Sequence, residues 1–162
     1  MIEIPITITM IRNATRRAQA FKDHYDNTLL ESDVIQTRVN GFLAEEAIMQ
    51  TYPMIRMSQD RSYDLLFGLI TIEVKAIGCN SKPLPHYNAT IFEYQKPKAD
   101  YLAFARVKND HTCVWLIGYI KTKDFYKKAT LRLPGHQTPN GQTYEYPRYE
   151  IQYSDLKPAK VK

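Results

Sequence analysis

The pattern of apolar and polar residues indicates two helices in the first third of the chain. A polar, basic helix is predicted over residues 8–25, and the polar stretch 26–40 is expected to form a loop. A stronger helix is predicted over 41–52, and Pro53 ends its pattern. The apolar residues that recur at helical spacing in it are Leu43, Ala44, Ala47 and Ile48.

The pattern changes to strand spacing after about residue 60. A β-hairpin is predicted from strands at 62–67 and 69–77, with Gly68 between them. Residues 78–90 hold several glycine, proline and asparagine residues, so an exposed loop is expected there.

Three more strands and a short helix are predicted downstream. The strands lie at 90–94, 101–107 and 113–120, and the last is a continuous apolar run typical of a buried strand. Residues 122–129 are expected to form a helix with Thr122 as a candidate N-cap. The remainder is expected to be irregular or to form edge strands. This order of elements predicts an α/β or α+β domain with a mixed central sheet.

Composition favours a single domain with a basic second half. A chain of 162 residues fits one domain, 1–162, with apolar residues enough for one core. The net charge is +5: residues 1–81 hold 8 Lys and Arg against 10 Asp and Glu, whereas residues 82–162 hold 14 against 7. This asymmetry favours a surface for a polyanion, or a solvated basic face without a partner.

Cysteine spacing and hydropathy argue against several classes of protein. Cys79 and Cys113 lack the spacing of a zinc site or a disulfide scaffold. The N-terminal segment holds Glu3 and Pro5 where a signal peptide needs a basic and then an apolar region. No apolar stretch approaches the roughly 20 residues of a membrane helix. We therefore expect a reducing, cytoplasmic location and no membrane partner.

Candidate chemistry is concentrated in the predicted hairpin. Side chains alternate faces along a strand, so Glu73 and Lys75 are expected on one face, and Asp64 on the preceding strand can reach them. Ionisable groups among apolar neighbours need pairing or a metal to offset desolvation. Two carboxylates beside a lysine suit hydrolysis of a phosphodiester with Mg²⁺, with Mn²⁺ as a substitute.

The spacing of Asp64 and Glu73-Val74-Lys75 resembles the motif of the PD-(D/E)xK nuclease superfamily. The resemblance covers about residues 41–120, and the basic part 121–162 follows it. A Pro-rich loop at 82–87 and a strand at 101–107 resemble those of small phage-encoded members in particular. The resemblance implies a restriction-endonuclease-like core, a mixed sheet flanked by helices. It also implies a helical glutamate that completes the metal site, for which Glu45 is favoured over Glu46. Tyr63 stands where that family usually has proline.

The basic second half supplies candidate nucleic-acid contacts. Clustered lysines bind phosphates without reading sequence. The candidates are Lys82, Lys96, Lys98, Lys121, Lys123, Lys127 and Lys128. Four tyrosines near the C-terminus have aromatic faces for bases, but their near-alternation favours an edge strand or a dimer surface. They are Tyr144, Tyr146, Tyr149 and Tyr153.

The function expected from the sequence is a Mg²⁺-dependent DNA endonuclease. Asp64 and Glu73 bind the metal, Glu45 or Glu46 supports it, and Lys75 orients the attacking water. The glutamine-tyrosine motif of the superfamily's exonuclease branch is missing, and one site cuts one strand, so double-strand cutting needs a homodimer. RNA stays open as a substrate. The alternatives are a non-catalytic nucleic-acid-binding module and a phage protein that binds a host enzyme, each with the nuclease fold.

Overall fold

The chain forms two β-sheets and three α-helices within residues 1–22, 32–60, 62–138, 141 and 143–160, which the computed structural model describes. The helices are α1 (Ile8–Lys22), α2 (Ser32–Thr51) and α3 (Thr122–Lys128). The strands are β1 (Ile2–Pro5), β2 (Ile55–Met57), β3 (Leu65–Phe67), β4 (Ile70–Cys79), β5 (Asn88–Phe92), β6 (Tyr101–Lys108), β7 (Cys113–Lys121), β8 (Thr130–Arg132), β9 (Arg148–Gln152) and β10 (Lys157–Pro158).

The central sheet has seven strands and is mixed. Its order is β1-β7-β6-β4-β3-β2, and β10 also pairs with β7. The β4–β6 pair is parallel, and the other pairs are antiparallel. A second, antiparallel sheet has the order β5-β9-β8. The predicted α+β class with a mixed central sheet is confirmed.

Helices α1 and α2 cover one face of the central sheet. The buried residues of α1 recur four positions apart, at Met10, Ala14 and Ala18, and the two alanines let the helices approach closely. They pack with Leu43 of α2 and with Val74 of β4 in one apolar cluster. The apolar stripe of each helix therefore decides which face of the sheet it covers.

The second sheet and α3 cover the opposite face. Leu102 and Phe104 of β6 point to this side, where they pack against Ile91, Phe125 and Ile151. The rings of Phe104 and Phe125 stack with centroids 5.8 Å apart. The central sheet thus has helices on both faces, and its strands β6 and β7 are largely buried, as their apolar sequences require.

Helix α2 begins nine residues before the predicted start, so the loop expected over 26–40 is wrong for residues 32–40. Ile35 and Val39 precede Leu43 at four-residue spacing and pack into the helix-side cluster. The polar composition of this stretch concealed that spacing. The rest of the predicted loop, and the last residues of the predicted first helix, lie outside the described residues.

The hairpin and the strands that follow it are confirmed, with shifted ends. β3 and β4 are joined by a two-residue turn in which Gly68 has φ +60°, a conformation that favours glycine. The first hairpin strand begins at Leu65 rather than at residue 62. Because β4 extends to Cys79 and β5 begins at Asn88, the loop predicted over 78–90 narrows to 80–87.

One expectation for the second half is wrong, and another holds in part. Thr122 is not the N-cap of α3: Lys121 holds that position, and the Thr122 hydroxyl donates to the Ala99 carbonyl at 2.5 Å. Strand β8 lies at an edge of the second sheet, as expected for the remainder, whereas β9 lies between β5 and β8 and is not an edge strand. Tyr144 and Tyr153, outside β9, are buried.

Two observations concern membrane-spanning and disulfide-bonded proteins. No helix in the described part of the chain is long and apolar enough to cross a membrane. Cys79 and Cys113 are free thiols.

Candidate active site

Asp64 is held against strand β4 at the entrance to the hairpin. Its backbone N–H donates to the Ile72 carbonyl at 3.1 Å, which continues the β3–β4 ladder by one residue. Its carboxylate accepts the Val74 backbone N–H at 2.7 Å. The hairpin register, with Leu65 opposite Ile72, therefore places Asp64 beside Glu73.

Glu73 and Lys75 lie on one face of β4, as predicted. Their ladder partners on β6 are Leu102 and Phe104, which belong to the apolar cluster on the second-sheet side. Val74, between them, points to the helix side. The Lys75 ammonium donates to Glu73 Oε1 at 2.8 Å, and each side chain is 19% exposed. Water thus reaches an ion pair that is otherwise enclosed.

Glu45 approaches Asp64 from helix α2 and is paired with Arg17 of α1. Arg17 donates to the Glu45 carboxylate at 2.5 Å, and its guanidinium lies 4.0 Å from the centre of the Phe42 ring. The Glu46 carboxylate is 4.0 Å from Arg17 and is more exposed. Of the two glutamates left open by the sequence, Glu45 is the one that interacts electrostatically with Asp64.

Glu45 of helix α2 interacts electrostatically with Asp64, and Asp64 interacts with Glu73 of β4. Burial, followed by the charge of Asp64, raises the pKa of Glu45 to about 7, against the opposing effect of Arg17. Burial, followed by the charge of Glu73, raises the pKa of Asp64 to about 6, although the Val74 N–H and Lys75 lower it. Both shifts favour the protonated form of these two carboxyl groups, and a cation bound beside them would oppose the shifts.

The carboxylates of the site bear on the predicted metal. Among the described residues there is no group of three or more His, Cys, Asp or Glu side chains that could hold a metal ion. Mg²⁺, however, is commonly bound through one or two carboxylates, with waters and phosphate oxygens as its other ligands. Asp64 and Glu73 fit that pattern as two neighbouring carboxylates with oxygen donors. The predicted metal role of Glu45, whose carboxylate is bound to Arg17, stays a prediction.

Two features of the site were missed in the sequence. The first is Arg17, one of the basic residues of the first predicted helix, which forms the ion pair with Glu45. A buried helical glutamate needs a cationic partner, but the sequence does not indicate which cation meets it. The second is a clamp of reciprocal hydrogen bonds between Asp100 and Thr71. The Asp100 carboxylate accepts the Thr71 backbone N–H and hydroxyl, each at 2.9 Å, and the Asp100 backbone N–H donates to the Thr71 hydroxyl oxygen at 2.8 Å. This clamp fixes the start of β4 beside β6.

Three of the seven predicted lysines come together in an open groove beside the site. The basic groove has a volume of about 680 Å³. Its cationic residues are Lys98, Lys121 and Lys123, and Asp100 is the one acidic residue among the described residues that line it. Ile70 also lines the groove and is three residues before Glu73 on β4, which is about 10 Å along the strand, with the two side chains on opposite faces. The groove therefore opens at the start of β4, and Asp64 and Glu73 do not line it.

The other predicted lysines do not line this groove. Lys82 is exposed in the loop over 80–87. Lys96 lies 3.6 Å from Glu93 in an exposed ion pair. Lys127 and Lys128 are exposed in the last turn of α3, where positive charge is favourable to the helix dipole.

The chain matches no protein-family model and no curated protein sequence. The nuclease family inferred from the motif therefore stays a prediction, and the case for a function depends on the geometry of the site.

Proposed function

We propose that this protein is a metal-dependent hydrolase of phosphodiester bonds in DNA, with Asp64, Glu73 and Lys75 as its catalytic residues. The observation that carries the proposal is the meeting of two carboxylates and a lysine at the β3–β4 hairpin. Burial, followed by the charge of Glu73, raises the pKa of Asp64 to about 6. Perturbed carboxylates of this kind are typical of functional sites.

Asp64 and Glu73 would hold Mg²⁺, with Mn²⁺ as a substitute. When bound, such an ion lowers the pKa of a water ligand and stabilises negative charge on a phosphate. Lys75, held 2.8 Å from Glu73, supplies a fixed positive charge that positions the attacking water and attracts the phosphate. Arg17 restrains Glu45 and limits the negative charge behind Asp64.

A non-catalytic nucleic-acid-binding protein is the second candidate function, and one observation favours it. Every acidic side chain of the site other than Asp64 has a basic partner within 4.0 Å, since Arg17 contacts Glu45 and Glu46 and Lys75 contacts Glu73. Such pairing is also what a site without a metal would use to offset the burial of its acids.

A plasmid-nicking assay with Mg²⁺, Mn²⁺ or EDTA separates the two functions. We expect nicking that needs a metal and that falls at least about 100-fold in Glu73→Gln and in Lys75→Ala. Matched controls are Lys108→Ala and Asp110→Asn, which break an exposed ion pair of 2.7 Å. Lys108 is about 20 Å from Glu73 along the β4–β6 ladder, so neither control should change nicking by more than about twofold.

Two results would contradict the hydrolase. The first is the absence of nicking with either metal while the parent protein still binds DNA, which is what the second candidate function predicts. The second is nicking that survives Glu73→Gln or Lys75→Ala at the level of the control variants. Nicking, rather than double-strand cutting, is the expected product of one site, so a homodimer is required only for cutting both strands.

A further inference from the structure

A cluster of aromatic side chains is exposed on the second sheet, away from both apolar cores. Tyr94 stacks on Phe92 with ring centroids 5.4 Å apart and an interplanar angle of 13°. Tyr146 packs edge-on against the same Phe92 ring at 6.5 Å. The guanidinium of Arg148 lies 4.7 Å from the centre of the Phe92 ring. These four residues are called the aromatic platform.

The platform exposes far more aromatic surface than packing requires. Tyr94 is 65% exposed and Tyr146 is 58% exposed. Since Phe92 covers one face of the Tyr94 ring, the exposed fraction includes its other face. The stack on Phe92 also holds that ring in place, so binding a second ring loses little side-chain entropy. An exposed ring in a fixed orientation is a platform on which a nucleobase can stack.

The platform adjoins the basic groove through a short stretch of chain. Tyr94 is three residues before Pro97 and four before Lys98, both of which line the groove. Three residues span at most about 11 Å, so the Tyr94 and Pro97 backbones are within that distance of each other. Tyr126 of the groove also packs edge-on against Tyr149 of β9, which connects α3 to the second sheet.

From this juxtaposition we propose that the platform and the groove together bind an unpaired segment of nucleic acid. Lys98, Lys121 and Lys123 bind its phosphates, and Tyr94 and Tyr146 stack with its bases. A base inside a duplex has both faces covered by its neighbours, so only an unpaired segment presents faces for stacking. Stacking tolerates any base, because every base has a π-face.

This inference deepens the proposed function by naming its substrate class as DNA that contains a single-stranded region. The groove is lined by Ile70 at the start of β4, the strand that carries Glu73, so the proposed binding surface and the proposed catalytic residues share this strand. Single-stranded RNA offers the same combination of unpaired bases and phosphates. DNA and RNA probes of the same length distinguish these two ligands.

Fluorescence anisotropy in EDTA tests binding without any catalysis. The probes are a labelled oligothymidine of about 12 nucleotides, the matching oligouridine, and a duplex of the same length. We expect Tyr94→Ala to weaken binding of the single strand at least about 5-fold and that of the duplex by less than about 2-fold. The matched control is Tyr87→Ala, since Tyr87 is 38% exposed and precedes the opposite end of β5.

The groove is tested by the salt dependence of the same binding. Each of Lys98→Ala, Lys121→Ala and Lys123→Ala should reduce the slope of log affinity against log salt by about 0.7 for the single strand. The control Lys82→Ala, on an exposed lysine outside the groove, should leave the slope unchanged. Thermal midpoints of all variants check that each still folds.

Three results would overturn the inference. Tyr94→Ala could bind the single strand with the affinity of the parent protein, it could lose as much affinity for the duplex as for the single strand, or the parent protein could bind neither single-stranded probe. Tighter binding of oligouridine than of oligothymidine supports the platform and identifies RNA as the ligand. Because the measurement excludes metal, a protein that binds through the platform but never nicks DNA contradicts only the hydrolase.

Discussion

Replacement of Glu45 by glutamine tests whether the burial of this carboxylate makes the stability of the protein depend on pH. Glu45 is 4% exposed. Burial and the charge of Asp64 raise its pKa from 4.5 to about 7. At about 1.4 kcal/mol for each pKa unit, the ionised form destabilises the fold by about 3 kcal/mol relative to the protonated form.

The sign follows from proton binding. With its raised pKa in the folded state, Glu45 holds a proton more tightly there than in the unfolded state, so the stability of the protein falls as pH rises from 4.5 to about 7. Between about pH 5 and about pH 8 this one carboxylate accounts for a loss of about 2.5 kcal/mol. Glu45→Gln cannot ionise, so its stability relative to the parent should rise by that amount over the same range.

Urea denaturation followed by circular dichroism, at several pH values in EDTA, measures this difference. The matched control is Glu46→Gln, which removes the same charge from the next residue, where the side chain is 20% exposed instead of 6%. Asp64, whose pKa is raised to about 6, contributes to the pH dependence of all three proteins, so the variants are compared with each other. Stabilities of Glu45→Gln and Glu46→Gln that stay parallel within about 0.5 kcal/mol from pH 5 to 8 would refute the reasoning.

Two more predictions concern stability, each measured by urea denaturation. Gly41→Ala should stabilise the protein by about 0.5–1 kcal/mol, because the added Cβ meets no atom within 4 Å in helix α2. Gly118→Ala should instead destabilise it by about 1–3 kcal/mol, because the added Cβ collides with the β10 backbone. Equal changes in the free energy of unfolding for the two variants would contradict the packing around these glycines. Glu150→Gln should cost about 1–3 kcal/mol at pH 7. Burial raises the pKa of Glu150, but hydrogen bonds from Arg132 and Tyr144 lower it by more, so its pKa in the folded protein is below 4.5. The stability lost in Glu150→Gln should therefore shrink as pH falls below 4.5. A loss of stability that persists at lower pH would contradict the role given to these hydrogen bonds.

Local patterns in the sequence were enough for the hairpin and the residues that it aligns. Strand alternation along β4 put Glu73 and Lys75 on one face, and the two-residue turn at Gly68 fixed Asp64 beside them. These residues are at most eleven positions apart, so turn geometry and side-chain alternation set their relation. Strands β6 and β7 were also predictable from apolar-rich runs of matching length.

Features that join distant parts of the chain were not predictable in this way. Arg17 meets Glu45 across 28 positions because two apolar helix stripes pack together, and no local pattern specifies that approach. The sequence likewise gave no register for β9, whose central place in the second sheet is decided by its pairing with β5 and β8.

The sequence by itself determined the α+β class, the hairpin and the pairing of acid and lysine on β4, since all depend on periodicity and turn chemistry within about fifteen residues. Tertiary structure decided which cation partners the buried glutamate, which lysines share a groove and which aromatic rings remain exposed. The physical reason is that burial and charge proximity depend on which surfaces pack together, and packing joins residues that are far apart in the chain.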